Sequence, residues 1–209
     1  MIRSRQYGCT LLFSEICMTR GYTLKRRAEQ QAQTRLKIVQ AAVDLHGTVG
    51  PANTSLSMVA ERAGVQRNTL YAHFPDLRSL QMACSGLSLE RNPPPDAADW
   101  SRISDPASRL RHGLEAVYSW YAANADLLGC VLRDAEHHLL TREIAELRFG
   151  PFVAGWRETL GAGLTGPQRA LLHLALDFHG WRALVTETAM TARDAANLMA
   201  QAIEGAEGR

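Results

Sequence analysis

The sequence predicts an all-α protein with an N-terminal three-helix helix-turn-helix domain and a C-terminal helical domain. Three observations carry this prediction. Apolar residues recur at helical spacing along most of the 209 residues. Glycines and prolines, above all the run RNPPPDAAD at residues 91–99, separate the helical stretches. Residues 55–74, SLSMVAERAGVQRNTLYAHF, have the pattern of two short helices joined by a tight turn at Gly64.

The first helix of the N-terminal domain is expected over residues 34–45, TRLKIVQAAVDL. Gly47, Gly50 and Pro51 follow it and break the helical pattern. Its apolar stripe runs through Leu36, Val39 and Val43, with Ile38, Ala42 and Leu45 as further candidates. We expect the two short helices to pack against this stripe.

The first short helix has start and stop signals in the sequence. Ser55 is a good N-cap, because its hydroxyl can accept a hydrogen bond from a backbone N–H one turn in. Gly64 follows the helix, where a left-handed backbone costs other residues energy. Val65 and Leu70 bracket the next helix start as a hydrophobic staple, and Leu70 and Phe74 point to the core. These signals predict a sharp turn between the two helices.

The second short helix leaves a hydrogen-bonding face exposed. The polar residues of its first turn are Gln66, Arg67, Asn68 and Thr69. Gln and Asn pair with adenine, and Arg pairs with guanine, in the major groove of DNA. Tyr71 and His73 lie further along, where they suit phosphate contacts that fix register. The alternative interpretation is an ordinary pair of packed helices with a polar outer face.

Four groups of residues around this motif form a wider pattern. They are Ile38-Val39-Gln40-Ala41-Ala42, residues 55–60, Ala63-Gly64-Val65 and Thr69-Leu70-Tyr71-Ala72-His73-Phe74-Pro75. With these groups the chain resembles the TetR family of bacterial transcriptional regulators, over about residues 34–84. Two positions depart from the family pattern. Leu77 stands where a basic residue is usual, with Arg78 following it, and His46 stands where an aromatic residue is common.

The resemblance implies an all-α homodimer. Its DNA-binding domain, residues 31–90 with a connector helix over residues 77–90, would bind a palindromic double-stranded DNA operator. Its C-terminal domain would hold a small-molecule ligand that lowers the affinity for DNA. By similarity, Ser55, Tyr71 and His73 contact phosphates, and residues 66–69 lie nearest to the bases. Repression is the usual role in this family, and activation remains open.

Charge is unevenly divided along the chain, whose formal net charge is +2. Residues 1–80 hold 11 Lys and Arg against 5 Asp and Glu, and residues 81–209 hold 12 against 16. The basic half contains the predicted recognition helix, as a surface that faces phosphates requires. Chance is the alternative explanation for an asymmetry of this size.

Residues 1–30 are expected to form a flexible basic extension, because they match no helix of the family. Lys25, Arg26 and Arg27 cluster just before the first helix. They suit an arm that lies along phosphates or enters the minor groove. A solvated tail with no role in binding is the equal alternative. Met18 is a second candidate for the first residue of the protein.

Beyond a Pro-rich boundary at residues 91–104, a ligand-binding and dimerisation domain is expected over residues 105–209. Helical stretches are predicted at residues 105–123, 125–139, 141–162, 167–189 and 192–205, and Pro151 is expected to kink or split the third.

Aromatic residues supply the candidate ligand contacts, since pockets for small ligands are mostly apolar: Trp120, Tyr121, Phe152 and Trp156. The broad apolar face of the fourth stretch supplies the candidate dimer contacts, with a monomer core helix as the alternative: Phe178, Trp181 and Leu184.

Other classes of function have little support in the sequence. No Gly-rich phosphate loop, Ser-His-Asp order or zinc-protease motif occurs, so no catalytic residue or cofactor is expected. Cys130 with His137, and Asp134 with His138, share helix faces, but such pairs are more often surface residues than a metal site. The four scattered cysteines indicate reduced thiols in a cytoplasmic protein. No apolar run reaches transmembrane length, so no membrane partner is expected, and a small helical enzyme or a non-DNA helical adaptor are the remaining alternatives.

Overall fold

The computed structural model describes the backbone of residues 10–206 and the side chains of residues 24–206. Within this part the secondary structure is α-helical, without strands, and no helix combines the length and apolar character needed to cross a bilayer. The helices are α1 Thr10–Thr48, α2 Leu56–Ala63, α3 Arg67–His73, α4 Leu77–Arg91, α5 Ala97–Ser101, α6 Pro106–Ala123, α7 Ala125–Ala135, α8 Leu139–Leu160, α9 Gly166–Ala175, α10 Phe178–Thr188 and α11 Ala192–Gly205. The predicted all-α fold class is confirmed.

The N-terminal domain has its own apolar core, formed by α1 to α4. The members buried from α1 are Ile38, Val39, Ala41, Ala42 and Leu45. They meet Val59 and Ala60 of α2, Leu70 of α3, Phe74, and Leu80 and Cys84 of α4. Leu36, which we placed in the stripe, is 50% exposed. The buried stripe therefore lies about one-third of a turn away from the one centred on Leu36 and Val43.

The first helix begins much earlier than the sequence indicated. The sequence predicts a flexible extension over residues 1–30, but residues 10–30 are the N-terminal part of α1, and residues 1–9 lie outside the described part. Good helix formers in the segment KRRAEQQAQ favour this continuation, and no proline interrupts it. The side chains of residues 24–33 are exposed, so this part of α1 gains no stability from the core.

The Pro-rich boundary at residues 91–104 contains a short helix that we did not predict. Asp96 caps α5 by accepting a hydrogen bond from the N–H of Ala98 at 2.9 Å, and Trp100 of α5 is buried. Two indole N–H groups hold the segment before α5, residues 92–95, in place. Trp120 donates to the Asn92 carbonyl at 3.0 Å, and Trp156 donates to the Pro95 carbonyl at 2.8 Å. The boundary is therefore fixed to the C-terminal domain.

The C-terminal domain packs α5, α6, α8, α9, α10 and α11 around a second core. Its largest buried side chains are aromatic: Trp100, Tyr118, Tyr121, Trp156, Phe178 and Trp181. Gly113 of α6 lets α8 approach closely, because a Cβ there would lie 2.5 Å from a methyl group of Leu160. Most of the aromatic residues among residues 24–206 are therefore core residues.

The fourth predicted stretch, residues 167–189, is two helices rather than one. The helix α9 ends at Ala175, and Asp177 caps α10 by accepting the N–H of Gly180 at 2.8 Å. Carbonyl groups freed at the break are satisfied from α6, since Tyr118 donates to Ala175 O at 2.9 Å and Tyr121 to Leu176 O at 2.8 Å. The local capping signal at Asp177 was present in the sequence, but a continuous apolar pattern concealed it.

Pro151 does not split its helix. The helix α8 runs from Leu139 to Leu160 with Pro151 inside it, although proline removes one backbone hydrogen bond at a cost of about 3 kcal/mol. Packing on both sides of the proline offsets this cost, since Ile144 on one side and Trp156 and Leu160 on the other are buried.

Candidate nucleic-acid interface and ligand cavity

The turn between α2 and α3 is built by residues with specific backbone roles. Ser55 accepts the N–H of Met58 at 3.2 Å and caps α2. Gly64 has a left-handed backbone with φ of 66°, and its N–H donates to Glu61 O at 3.0 Å. The N–H of Val65 donates to Ala60 O at 3.0 Å, which closes the end of α2. This turn orients α3 across α2.

The first turn of α3 presents three exposed side chains. Gln66 is the N-cap residue but makes no side-chain cap, so its amide is available to an outside partner. Arg67 and Asn68 are exposed beside it, and Arg67 donates to Ser57 Oγ of α2. Thr69 is half-buried, while Leu70 and Phe74 anchor the helix in the core. The structure thus places the predicted base-contact residues on one accessible end of α3.

His73 and three other residues of α3 face a cleft that also includes α1. Tyr71 is 49% exposed, and His73 is half-buried. The cleft is lined by residues of both helices: Arg27, Gln30, Gln31, Thr34, Asn68, Thr69, Ala72 and His73. Lys25 and Arg26 are exposed on the same early part of α1. Sequence reasoning missed Gln31 and Thr34, because their position beside α3 follows from the extended α1.

A cavity lies between the two domains. The centres of water-sized molecules can occupy about 120 Å³ of it. Val43 and His46 of α1 and Gln81 and Cys84 of α4 form the wall from the N-terminal domain. The opposite wall comes from α6, α7 and α8, with these residues among its members: Trp120, Leu127, Leu128, Val131, Leu132, Ile144, Arg148 and Phe149. The cavity is therefore in contact with both the N-terminal and the C-terminal domain.

One of the four predicted ligand residues lines the cavity, and the other three lie in or against the C-terminal core. Trp120 lines the cavity, where its ring stacks on Phe149 with centroids 5.3 Å apart. Tyr121 and Trp156 are buried in the C-terminal core, and Phe152 packs against that core. Gln81, Arg148 and Phe149 were missed. The local sequence signal for Gln81 is a polar residue directly after the core residue Leu80. This signal points to a cavity only when the residues of the opposite wall are known.

Two titratable groups meet in the wall of the cavity. The Nδ1 atom of His46 lies 3.3 Å from the Sγ atom of Cys84. Burial lowers the pKa of His46 to about 4, with the Asp134 carboxylate acting in the opposite direction. Burial also raises the pKa of Cys84 to about 12. Both side chains are therefore uncharged at neutral pH.

A buried carboxylate joins the end of α1 to α7. Asp134 is 1% exposed and accepts the N–H of Ala52, in the loop before α2, at 2.9 Å. Its neighbour Arg133 pairs with it at 2.8 Å and donates to Val49 O at 3.2 Å. Asp134 therefore holds the α1–α2 loop against the C-terminal domain. Within the residues described, no group of three potential metal ligands comes together.

Comparisons with known proteins agree with this geometry. Residues 38–80 match the family model for bacterial regulatory proteins of the tetR family. A search of curated proteins finds no match. One similar solved structure is NalD, the secondary repressor of the MexAB-OprM multidrug efflux pump in Pseudomonas aeruginosa, with 25% identity, a TM-score of 0.60, and coverage of 84% of this chain and 96% of NalD. Residues 38–80 therefore form a DNA-binding domain of the tetR type.

Two further solved structures have the same fold at lower identity. FadR from Bacillus subtilis, solved in complex with stearoyl-CoA, has 16% identity and a TM-score of 0.59, and the match covers 83% of this chain and 99% of FadR. The TetR family transcriptional regulator PfmR from Thermus thermophilus has 21% identity and a TM-score of 0.54, with coverage of 82% of this chain and 99% of PfmR. The likeness therefore extends beyond the matched domain to the C-terminal helices.

The departure from the family pattern at Leu77, within the matched residues 38–80, has a structural counterpart. Asp76 caps α4 by accepting the N–H of Ser79 at 2.7 Å, and this bond lowers the pKa of the Asp76 carboxyl. Leu77 is half-buried, and Arg78 pairs with Glu143 of α8 at 2.6 Å. The first basic residue after the Phe-Pro pair is thus directed to the C-terminal domain.

The three predicted dimer residues occupy different environments. Phe178 and Trp181 are each 3% exposed and belong to the core of the C-terminal domain. Leu184 is half-buried in a shallow groove with Leu174 and Met199. Leu174 of α9 and Leu198 of α11 are 54% and 40% exposed. Charging Trp181 would test the core instead of an interface, so Leu184 is the informative position of the three.

Proposed function

We propose that this tetR-family regulator is a homodimeric, ligand-responsive repressor that binds a palindromic operator through α3 and residues 25–27 of α1. The observation that carries the proposal is the exposed first turn of α3, where Gln66, Arg67 and Asn68 stand together on a helix anchored by Leu70. Gln and Asn suit adenine, and Arg suits guanine, in the major groove. Tyr71, His73 and Ser55 are assigned to phosphate contacts.

Two protomers are needed for specific recognition. A single helix-turn-helix contacts few base pairs, and a dimer presents two recognition helices about 34–36 Å apart to successive major grooves. The exposed leucines on α9 and α11 support an interface formed by these helices together with Leu184 of α10. An unpartnered surface of this kind is costly in water and is typical of a protein contact.

The ligand site is assigned to the cavity between α1, α4 and the helices α6 to α8. Its walls are mostly apolar with a few polar groups, as small-molecule sites are. A ligand there contacts α4, which begins shortly after α3 ends. Binding would shift the spacing of the two recognition helices, and a coupling of about 1–3 kcal/mol is sufficient for control. The repressor assignment is supported by NalD, and the ligand assignment by FadR with stearoyl-CoA.

Mobility shift with duplexes taken from the DNA that flanks the gene tests this proposal. We expect binding that weakens at high salt, and we expect Arg67→Ala to weaken binding by about 1–3 kcal/mol because a base contact is removed. Arg169→Ala, at an exposed position on α9, is the matched control and should bind like the parent. Absence of a shift with every flanking duplex would contradict the proposal and favour an adaptor that binds no DNA.

A further inference from the structure

The cavity between the domains holds polar atoms that have no partner among the described residues. Both the Nε2 and the Oε1 atoms of Gln81 are buried without a hydrogen bond, and Gln81 is 4% exposed. The Nε atom of Arg148, which also lines the cavity, is buried and unpaired in the same sense. A buried polar group without a partner is costly, so each such group calls for an explanation.

Other polar groups of the cavity wall are already satisfied. Ser85 donates to Met82 O at 3.1 Å, and Ser88 donates to Cys84 O at 3.0 Å. His46 and Cys84 contact each other at 3.3 Å. The free hydrogen-bonding capacity of the buried wall is therefore concentrated in Gln81 of α4 and Arg148 of α8.

The described residues that line the cavity carry a positive charge and no negative charge. Among the described residues that line it, Arg148 is the single charged side chain, and none is a carboxylate. His46 is neutral because burial lowers its pKa to about 4. Arg148 makes no ion pair in the described part of the chain, and its Nη2 atom donates to Met82 O of α4 at 3.0 Å. A cationic ligand would find no counter-charge here, whereas an anion would.

We propose that this cavity binds a lipophilic monoanion whose head group lies between Gln81 and Arg148, and whose apolar body contacts the walls of α6, α7 and α8. The inference rests on the proposed function and adds the chemical class of the ligand. The guanidinium supplies a charge-assisted hydrogen bond, and the Gln81 amide supplies a second donor. The unpaired donors of both side chains would then be satisfied by one head group.

The same head group would link the ligand to the DNA-binding domain. Gln81 lies on α4, and the present partner of Arg148 is the Met82 carbonyl of the same helix. An anion between the two residues therefore contacts α8 and α4 at once. Rearrangement of the Arg148 hydrogen bond on binding would change how α8 holds α4, and α4 leads directly to α3.

Isothermal titration calorimetry with octanoate, octanamide and octylamine tests the class of ligand at constant chain length. We expect octanoate to bind at least tenfold tighter than octylamine. Arg148→Gln should weaken octanoate by tenfold or more and leave octanamide nearly unchanged. Arg157→Gln, at an exposed arginine on the same helix, is the matched control. Gln81→Leu should weaken octanoate and octanamide together, with circular dichroism confirming that the variant is folded.

Three outcomes would overturn the inference: octylamine binding as tightly as octanoate, octanoate binding unchanged by Arg148→Gln, or no binding of any of the three at millimolar concentration. Mobility shift of the flanking DNA, measured on the same samples with and without octanoate, separates this inference from the proposed function. Intact DNA binding together with an absence of octanoate binding counts against the ligand class alone. Failure to bind DNA at all counts against the proposed function.

Discussion

At the scale of single residues, burial decides chemistry that composition does not reveal. His46 stands where the family often has an aromatic residue, and it is buried like one, at 5% exposure. Its contact with Cys84 satisfies one ring nitrogen in the neutral form. Protonation of the buried ring is unfavourable, because burial disfavours the charged form. The free energy of unfolding therefore depends on pH.

Lowering the pH from 6.5 to about 4 is expected to destabilise the fold through His46. The pKa is 6.5 in the unfolded chain and about 4 in the folded protein, because burial disfavours the charged form. The unfolded state therefore binds more protons in this window, and stability present above pH 6.5 is lost as the pH falls, by up to about 3 kcal/mol. Urea unfolding at several pH values measures this loss.

His46→Phe should flatten this pH dependence, because phenylalanine does not titrate. His137→Gln, at an exposed position in the turn after α7, should leave it as steep as in the parent. Carboxyls with a lowered pKa, such as Asp76 and Asp105, act below about pH 4 and do not enter this window. An equal slope in the parent and in His46→Phe would show that His46 is not the responsible group.

At the scale of elements, helix ends are set by individual side chains. Asp177 caps the start of α10 just after α9 ends, although the surrounding sequence is apolar enough for one long helix. Tyr118 and Tyr121 reach across from α6, and their hydroxyl groups donate to the two carbonyls at the break. The break is therefore stabilised both by its own cap and by a helix that is distant in the chain.

Asp177→Ala is expected to destabilise the protein by about 1 kcal/mol, because the N–H of Gly180 loses its acceptor. Asp177→Asn retains a capping oxygen and should cost much less. The free energies of unfolding in urea compare the two variants. Equal losses of stability in both would mean that the charge of Asp177, and not its cap, matters.

The early part of α1 carries a prediction about DNA binding. Lys25, Arg26 and Arg27 are exposed on the helix that borders the cleft beside α3. If they neutralise phosphates, changing all three to Gln should reduce the slope of log affinity against log salt by about 0.9 for each phosphate that is no longer neutralised. Fluorescence anisotropy of a labelled operator duplex at several salt concentrations measures this slope.

Changing three exposed arginines of the C-terminal domain, Arg102, Arg157 and Arg169, to Gln gives a control with the same reduction in net charge. This control should keep the slope of the parent. An unchanged slope in the Lys25, Arg26 and Arg27 variant would leave the early part of α1 as a solvated helix with no role in binding.

At the scale of the whole molecule, the C-terminal helices serve two purposes. Their inner face forms the aromatic core, and their outer face leaves Leu174, Leu184 and Leu198 accessible. We therefore expect Leu184→Glu to give folded monomers with weak operator affinity, because the charge would be desolvated in a dimer but tolerated in a monomer. Light scattering measures the mass, and circular dichroism measures the fold.

Leu147→Glu is the control and should remain dimeric, because Leu147 is an exposed leucine on a different helix, α8. Trp181→Glu is expected to unfold the protein instead of dissociating a dimer, since Trp181 is 3% exposed within the single chain. A Leu184→Glu protein that remains dimeric would contradict the proposed interface.

Local signals in the chain were enough to predict the fold class, the α2–α3 turn and the connector helix. These depend on local signals: the caps at Ser55 and Asp76, the left-handed Gly64 and the spacing of Leu70 and Phe74. A helix start or turn is controlled by bonds within about four residues, so a single sequence is enough to predict it. The polar face of α3 followed from the same spacing.

Which residues form the core and which face the cavity depends on the packing of helices that are distant in the chain. Trp120, Tyr121 and Trp156 look alike in the sequence, but only Trp120 lines the cavity. Gln81 and Arg148 are far apart in the chain and become a pair of cavity groups because α4 and α8 pack together. Such contacts depend on how distant helices pack, and the 3.6-residue period of each helix does not encode which neighbour it meets.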